Sequence, residues 1–259
     1  GQRYFDFGNP SVGRWWWEHH DHLLAAGIDG WWLDGGEGPP EGTPTPRDDN
    51  DHSHNRFDLA RQRAFRDGEA HARPDMRPFL LCRSGGPGMQ QLGSAVWSGD
   101  VDATFSSLEA QIPVALNAAL SGMPYWGSDT GGYYPVAGRN VELFVRWFQF
   151  SSFCGLFRSH GKEWRNHLPF GHGERADRIL QRFLGLRYEL MPYTYSLAWQ
   201  AHQTGLPLLR PMVLNYPDDP NAATLGSQFL WGDDLLVAPV TRPAAEFWPV
   251  YLPQGTWFD

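Results

Sequence analysis

The chain has 259 residues, 41% hydrophobic and 15% aromatic, and a formal net charge of -8. That length and apolar content support one barrel-sized domain or two small ones with a substantial core. The acidic balance argues against nucleic acid or an anionic membrane as the main partner, and no apolar run has membrane-spanning length. Residues Gly1 to Pro10 read as a polar lead-in carrying aromatics. Ser11 is a candidate N-cap for a helix through about Ala26, ended by Gly27, with Trp16, Leu23 and Leu24 toward the core. His19, His20 and His22 have helical spacing but no third ligand, so they read as a solvated face. The run Ile28 to Leu33 is broken only by Asp29 and Gly30 and reads as a buried strand. It delivers Asp34 into the turn Gly35-Gly36-Glu37-Gly38.

Gly35 to Asn50 reads as a loop rich in Gly, Pro and Asp. Carboxylates and imidazoles mix between Asp48 and Asn55, but their spacing matches neither an EF-hand nor a zinc pattern. A helix is expected from about Phe57 to Ala72. Phe79 to Cys82 is a second strand, releasing Arg83 into Ser84-Gly85-Gly86. Ala95-Val96-Trp97 is a third, ending in Ser98-Gly99-Asp100. Thr104 to Leu120 is mostly helical, with Pro113 a kink or a boundary. Met123 to Gly127 is a fourth strand, leading to Asp129, and Val141 to Ser152 is an apolar helix. A strand near Gly155 to Phe157 releases Arg158-Ser159-His160. Arg175 to Thr204 is a long helix broken near Pro192. Leu206 to Leu214 reads as extended, Phe229 to Val240 as strand, turn, strand, and Trp248 to Trp257 as more β pattern. Cys82 and Cys154 sit in apolar runs and read as buried thiols. Neither a metal nor a cofactor is expected.

Strands separated by helices predict an α/β fold with a parallel sheet. Each strand exits into a polar or charged group: Asp34, Arg83, Asp100, Asp129, then Arg158 with His160. At any one exit the alternative is a turn or cap residue. Five such exits together read as one pocket at the carboxyl end of a barrel. Thirteen Trp suit either the flat apolar walls of a sugar site or an ordinary core. Two carboxylates on different strand ends, Asp34 and Asp100, suit acid/base or covalent carboxylate chemistry.

The segments Gly30 to Glu37, Arg83-Ser84-Gly85, Trp97 to Asp100, Gly127 to Tyr133 and Phe157 to His160 resemble, in order and spacing, glycoside hydrolase family 31. Phe229 to Val240 and Leu252 to Trp257 resemble the family's β-domain. The resemblance implies a partial (β/α)8 TIM-type barrel, about strands four to eight, over residues 1–205, followed by the start of a β-sandwich domain over 206–259. On that pattern both chain ends read as cuts, and the chain alone is expected to be inactive.

The resemblance also implies roles. Asp34 matches the nucleophile and Asp100 the general acid/base of a retaining α-glycoside hydrolase, whose carboxyl groups stand about 5–5.5 Å apart. Trp32, Arg83, Trp97, Asp129, Arg158 and His160 match residues lining the subsite of the non-reducing sugar. The turn after Asp34 departs from the more familiar Met-Asn-Glu form, which bears on substrate identity. The implied partner is an α-linked oligosaccharide or glycoside. The default activity is α-glucosidase-like, with α-xylosidase, α-transglycosylase or a non-catalytic carbohydrate-binding relative as alternatives. A metal-dependent hydrolase using Asp48 to His54 is a further class, which insensitivity to chelator would exclude.

Overall fold

A computed structural model describes residues 4–40, 53–136, 138–163 and 167–259. They form two compact units, Gly1–Trp97 and Ser98–Asp259.

In the first unit, helix α1 (Pro10–Glu18) starts one residue before the expected cap. The Asn9 side chain accepts from the Ser11 amide, and Pro10 occupies the first turn. Pro fits there because its missing N–H would have no helical partner. The helix ends at Glu18 rather than running to Ala26, and a separate turn, α2 (His22–Ala25), follows. Trp17, not Trp16, is its buried tryptophan. His19 and His20 each place Nδ1 2.7 Å from the carbonyl oxygen four residues back. Among the described residues no group of three or more His, Cys, Asp or Glu could hold a metal ion. Residues 48–52 lie outside the described residues.

Strands β1 (Trp31–Leu33), β2 (Leu80–Cys82) and β3 (Ser94–Trp97) pair in parallel, with Trp31 opposite Leu80 and Leu80 opposite Ser94. Strands β1 and β2 are shorter than their apolar runs, whereas β3 begins one residue before its run, because Ser94 pairs with Leu80. Helix α3 (Ser53–Ala72) joins β1 to β2 and begins four residues earlier than expected. A 3-10 turn, Met89–Leu92, precedes β3 and was not anticipated. Helices α1 and α3 approach closely: a Cβ on Gly13 would stand 3.2 Å from Ala64 Cβ. Leu33, Phe65, Leu80, Cys82, Met89 and Trp97 are buried.

The second unit opens with helix α4 (Phe105–Leu120), capped by Thr104, whose hydroxyl accepts from the Ser107 amide. Pro113 lies inside it without breaking it. Strand β4 (Trp126–Gly127) is short. Helix α5 (Val141–Ser151) is capped by Asn140 and buries Phe144, Val145 and Phe148 against Ala176 and Leu180. The expected strand at 155–157 does not form. That segment is instead held beside β4 by Leu156 N donating to Trp126 O at 3.0 Å and a single parallel bridge, Asp129 to Arg158. Helices α6 (Glu174–Glu189) and α7 (Met191–Thr204) are separated at Leu190, with Pro192 in the first turn of α7, as the sequence predicts.

The segment read as extended over 206–214 divides into β5 (Leu209–Pro211) and a helical turn, α8 (Met212–Asn215). A further turn, α9 (Pro220–Thr224), is capped by Asp219. Strands β6 (Phe229–Trp231) and β7 (Leu235–Val237) form the expected hairpin, and β5 pairs antiparallel with β6. Residues 248–257 form no strand. Gln228 instead bonds Tyr251 in both directions, and Trp257 Nε1 donates to Pro253 O at 2.9 Å. Cys82 and Cys154 are buried and unbridged, and burial pushes both thiols up to about 12. No described helix is long and apolar enough to cross a membrane.

Candidate active site

In the first unit Asp34 follows the last residue of β1. Its Oδ1 accepts the Gly35 amide at 2.8 Å, which turns the chain immediately. Arg83, which follows β2, reaches the same atom at 3.2 Å through Nη1. Its Nε donates to Glu37 Oε1 at 2.5 Å. One guanidinium therefore ties two carboxylates of one turn together. The parallel register explains this, because Leu33 pairs with Cys82 and brings the two strand exits side by side. The hydrogen bond from Arg83 holds the Glu37 carboxyl below the usual carboxylate range. Glu37 was not singled out as a site residue, and its spacing from Asp34 alone does not reveal a shared cation.

Trp32 points away from the buried side chains of β1 and is 49% exposed, as the alternation of a strand requires. Its ring meets that of buried Trp97 edge-on, with centroids 5.9 Å apart. These two candidates form an apolar wall in the first unit.

In the second unit Asp100 is exposed. Tyr134 Oη donates to its Oδ2 at 3.4 Å. The Asp100 loop is clipped to the Tyr133–Tyr134 segment. Val101 O accepts both tyrosine amides, at 2.7 and 3.0 Å, and Ala103 N donates to Tyr134 O at 2.8 Å. Gly132, at φ +82°, makes this approach feasible, since a Cβ there would stand 2.7 Å from Ala103 N. Tyr134 is a site neighbour that sequence reasoning missed. Its only signal was position, immediately after the Gly131-Gly132-Tyr133 motif.

Asp129 is fully buried, and Arg158 donates to its Oδ1 through Nε at 3.2 Å and Nη2 at 2.8 Å. Burial pushes the Asp129 carboxyl up, and the bonds and charge of Arg158 pull against it. Asp129 Oδ2 is buried and has no hydrogen-bond partner among the described residues. His160 packs near Tyr133, with ring centroids 5.6 Å apart. His167, also missed, is buried behind the motif with Nδ1 2.8 Å from Thr130 O, an arrangement that suits an N–H donor there. Burial lowers its pKa below the ordinary histidine value. Six of the eight sequence candidates thus fall into three local pairs, Asp34 with Arg83, Trp32 with Trp97, and Asp129 with Arg158, while Asp100 and His160 lie beside Tyr134 and Tyr133.

Comparison with known proteins places this geometry in a family. Residues 1–197 match the model described as the glycosyl hydrolases family 31 TIM-barrel domain, and residues 205–259 match that of the family 31 C-terminal domain. The chain is 35% identical, over 98% of its length, to alpha-glucosidase 2 of Bacillus thermoamyloliquefaciens. It is also 35% identical, over 94% of its length, to an alpha-xylosidase of Saccharolobus solfataricus. Among solved structures, the family 31 alpha-xylosidase of Xanthomonas citri is similar with a TM-score of 0.90 at 31% identity over 97% of the chain. A Flavobacterium johnsoniae family 31 dextranase complexed with glucose is similar with a TM-score of 0.86 at 32% identity over 96%. The chain covers 34% and 35% of the two curated relatives and 30% and 33% of the two solved chains, about a third of each. The partial barrel followed by the start of a sheet domain, expected from the motifs, is the architecture that these matches describe. By both its barrel and its C-terminal segments, this chain belongs to glycoside hydrolase family 31.

Proposed function

We propose that the chain carries catalytic groups of a retaining α-glycoside hydrolase of α-glucosidase-like specificity. Asp34 is the nucleophile and Asp100 the general acid/base. The observation that carries this reading is the setting of Asp34. It follows the carboxyl end of a parallel strand, where (β/α)8 enzymes keep their chemistry. One oxygen is held by Arg83 and the Gly35 amide, while the side chain remains 54% exposed to an incoming ring.

In this reading Asp100 protonates the leaving glycosidic oxygen as Asp34 attacks the anomeric carbon. The product is a β-linked glycosyl ester and a free alcohol. Asp100, now a carboxylate, takes a proton from water, which attacks the same carbon and releases Asp34. Two inversions restore the α configuration. Asp129 and Arg158 engage hydroxyls of the non-reducing sugar. The carboxylate has acceptor capacity left at Oδ2 among the described residues, and a guanidinium is the kind of group that donates to a sugar hydroxyl. Trp32 and Trp97 supply apolar wall, and His160 a polar edge. Arg83 orients Asp34 as well as facing the sugar. The substrate is an α-linked oligosaccharide or glycoside. A second reading, α-xylosidase, is favoured by the 35% identity to the Saccharolobus enzyme and the 0.90 TM-score to the Xanthomonas one.

The test is direct. Asp34→Ala in the active enzyme abolishes turnover. Asp100→Ala slows poor leaving groups far more than good ones, because the latter need little protonation. NMR of the first sugar released from an α-linked substrate shows the α anomer. Release of the β anomer overturns the mechanism.

A further inference from the structure

The turn that carries Asp34 is gripped from behind by helix α3. We infer that Arg61 is a positioning residue that sets the backbone of this turn, an assignment that rests on reading Asp34 as the nucleophile. Its guanidinium donates to three successive carbonyls: Nη2 to Leu33 O at 3.2 Å, Nη1 to Asp34 O at 3.1 Å and Nη2 to Gly35 O at 3.1 Å. A planar fork of donors can span such a row of acceptors, whereas a lysine ammonium is a point charge that cannot.

Arg61 is itself held. Asp58, Arg61 and Gln62 share one face of α3 by their spacing. Asp58 Oδ1 lies 2.6 Å from Arg61 Nη2, with side chains 5% and 14% exposed. Gln62 is fully buried. Its Nε2 donates to Asp58 Oδ2 at 2.6 Å and to Ser84 O at 3.0 Å, and its Oε1 accepts from Ser94 Oγ at 2.7 Å. Ser84 Oγ donates to Gly35 O at 3.3 Å. The network thus links the β1 exit to β3 and to the turn after β2 through a chain of buried partners.

The sequence of the turn is matched to this clamp. Gly36 adopts φ +91°, and a Cβ there would stand 2.2 Å from Arg61 Nη2 and 2.3 Å from Asp58 Oδ1. The absence of a side chain at Gly36 therefore leaves the space that Arg61 fills. Arg83 holds the carboxylate from the front, and Arg61 holds its backbone from behind. Nucleophilic attack depends on alignment, and a displacement of about 1 Å costs on the order of 10²-fold in rate.

The experiment compares Arg61→Ala, Arg61→Lys and Asp34→Ala in the active enzyme, with the melting temperature of each. Arg61→Ala lowers kcat for glycosyl-ester formation about 10²-fold while KM stays nearly constant, because substrate contacts are untouched. Arg61→Lys keeps the charge and most of the stem, folds, and still loses most of that kcat. Added guanidinium ion restores part of the Arg61→Ala rate, a response that a merely structural role would not give. Arg61→Lys with wild-type kcat overturns the proposal, whatever the stability of Arg61→Ala. Asp34→Ala separates the two readings. If it stays active, the nucleophile assignment fails. If it is dead while Arg61→Lys is fully active, only the clamp fails.

Discussion

Substituting Gly36 by Ala tests whether the Asp34 turn and α3 form one mechanical unit. Two effects add. The first is backbone strain: at φ +91° an L side chain is disfavoured by about 1–3 kcal/mol. The second is displacement. The new methyl would lie 2.2 Å from Arg61 Nη2, so the guanidinium must swing out and give up its three carbonyl bonds and its place beside Asp58. Hydrogen bonds to charged groups contribute about 1.5–3 kcal/mol each. Arg61 recovers some of this from water after moving, so a total near 3 kcal/mol is expected, of which about two thirds comes from displacement. In the Arg61→Ala background there is no guanidinium to displace, and Asp58 Oδ1, the other near atom at 2.3 Å, is the end of a side chain released from its ion pair and turns aside, so the cost of Gly36→Ala falls to about 1 kcal/mol of strain. The coupling of about 2 kcal/mol lies within the range measured for contacting residues. Urea unfolding of the four proteins of the cycle measures it. Each kcal/mol shifts the melting temperature by about 2–4 °C for a chain of this size. A Gly36→Ala protein as stable as wild type, or a cost unchanged in the Arg61→Ala background, would refute the packing argument.

Gly68→Ala sets two principles against each other. Helix propensity predicts a gain of about 1 kcal/mol inside α3, but the added methyl would meet the Trp17 ring at 2.1 Å. Overpacking costs about 1–3 kcal/mol, so the melting temperature should fall, and a rise would show that α1 yields easily. His167 and His172 both have pKa values lowered by burial, so the folded protein binds their protons more weakly than the unfolded chain. Their stabilising effect is complete above the ordinary histidine pKa of about 6.5 and is lost as the pH falls through the lower folded values. Urea midpoints should therefore decline between about pH 7 and pH 5. The decline should be shallower in His167→Gln, and identical slopes would remove His167 as a contributor.

What the sequence determined was local. Apolar runs bounded by Gly and Pro marked the strands at 31–33, 80–82 and 94–97, and the stretches Thr104 to Leu120 and Val141 to Ser152 announced α4 and α5. Pro192 marked the break before α7. Each of these signals acts within a few residues, through turn geometry, capping or a missing amide proton. The motifs at the strand exits were legible for the same reason, and they carried the family. Where the reading failed, a distant partner decided. The segment at 155–157 is strand-like in composition but meets β4 through the Leu156–Trp126 hydrogen bond, with one bridge, Asp129 to Arg158, just beyond both. Residues 206–214 turn helical after Pro211, where β5 has finished pairing with β6.

The site divides in the same way. Asp34, Asp129 and Arg158 could be proposed from their neighbours in sequence. The sharing of Arg83 between Asp34 and Glu37 could not, because it exists only once Leu33 pairs with Cys82. The grip of Arg61 on three carbonyls required the polar face of α3 to land on the end of β1. A sequence prescribes which groups are available and how the chain turns near them. Which donor meets which acceptor across many residues is set by strand register and helix docking, because a hydrogen bond tolerates only a few tenths of an ångström and no local signal fixes a distance so finely.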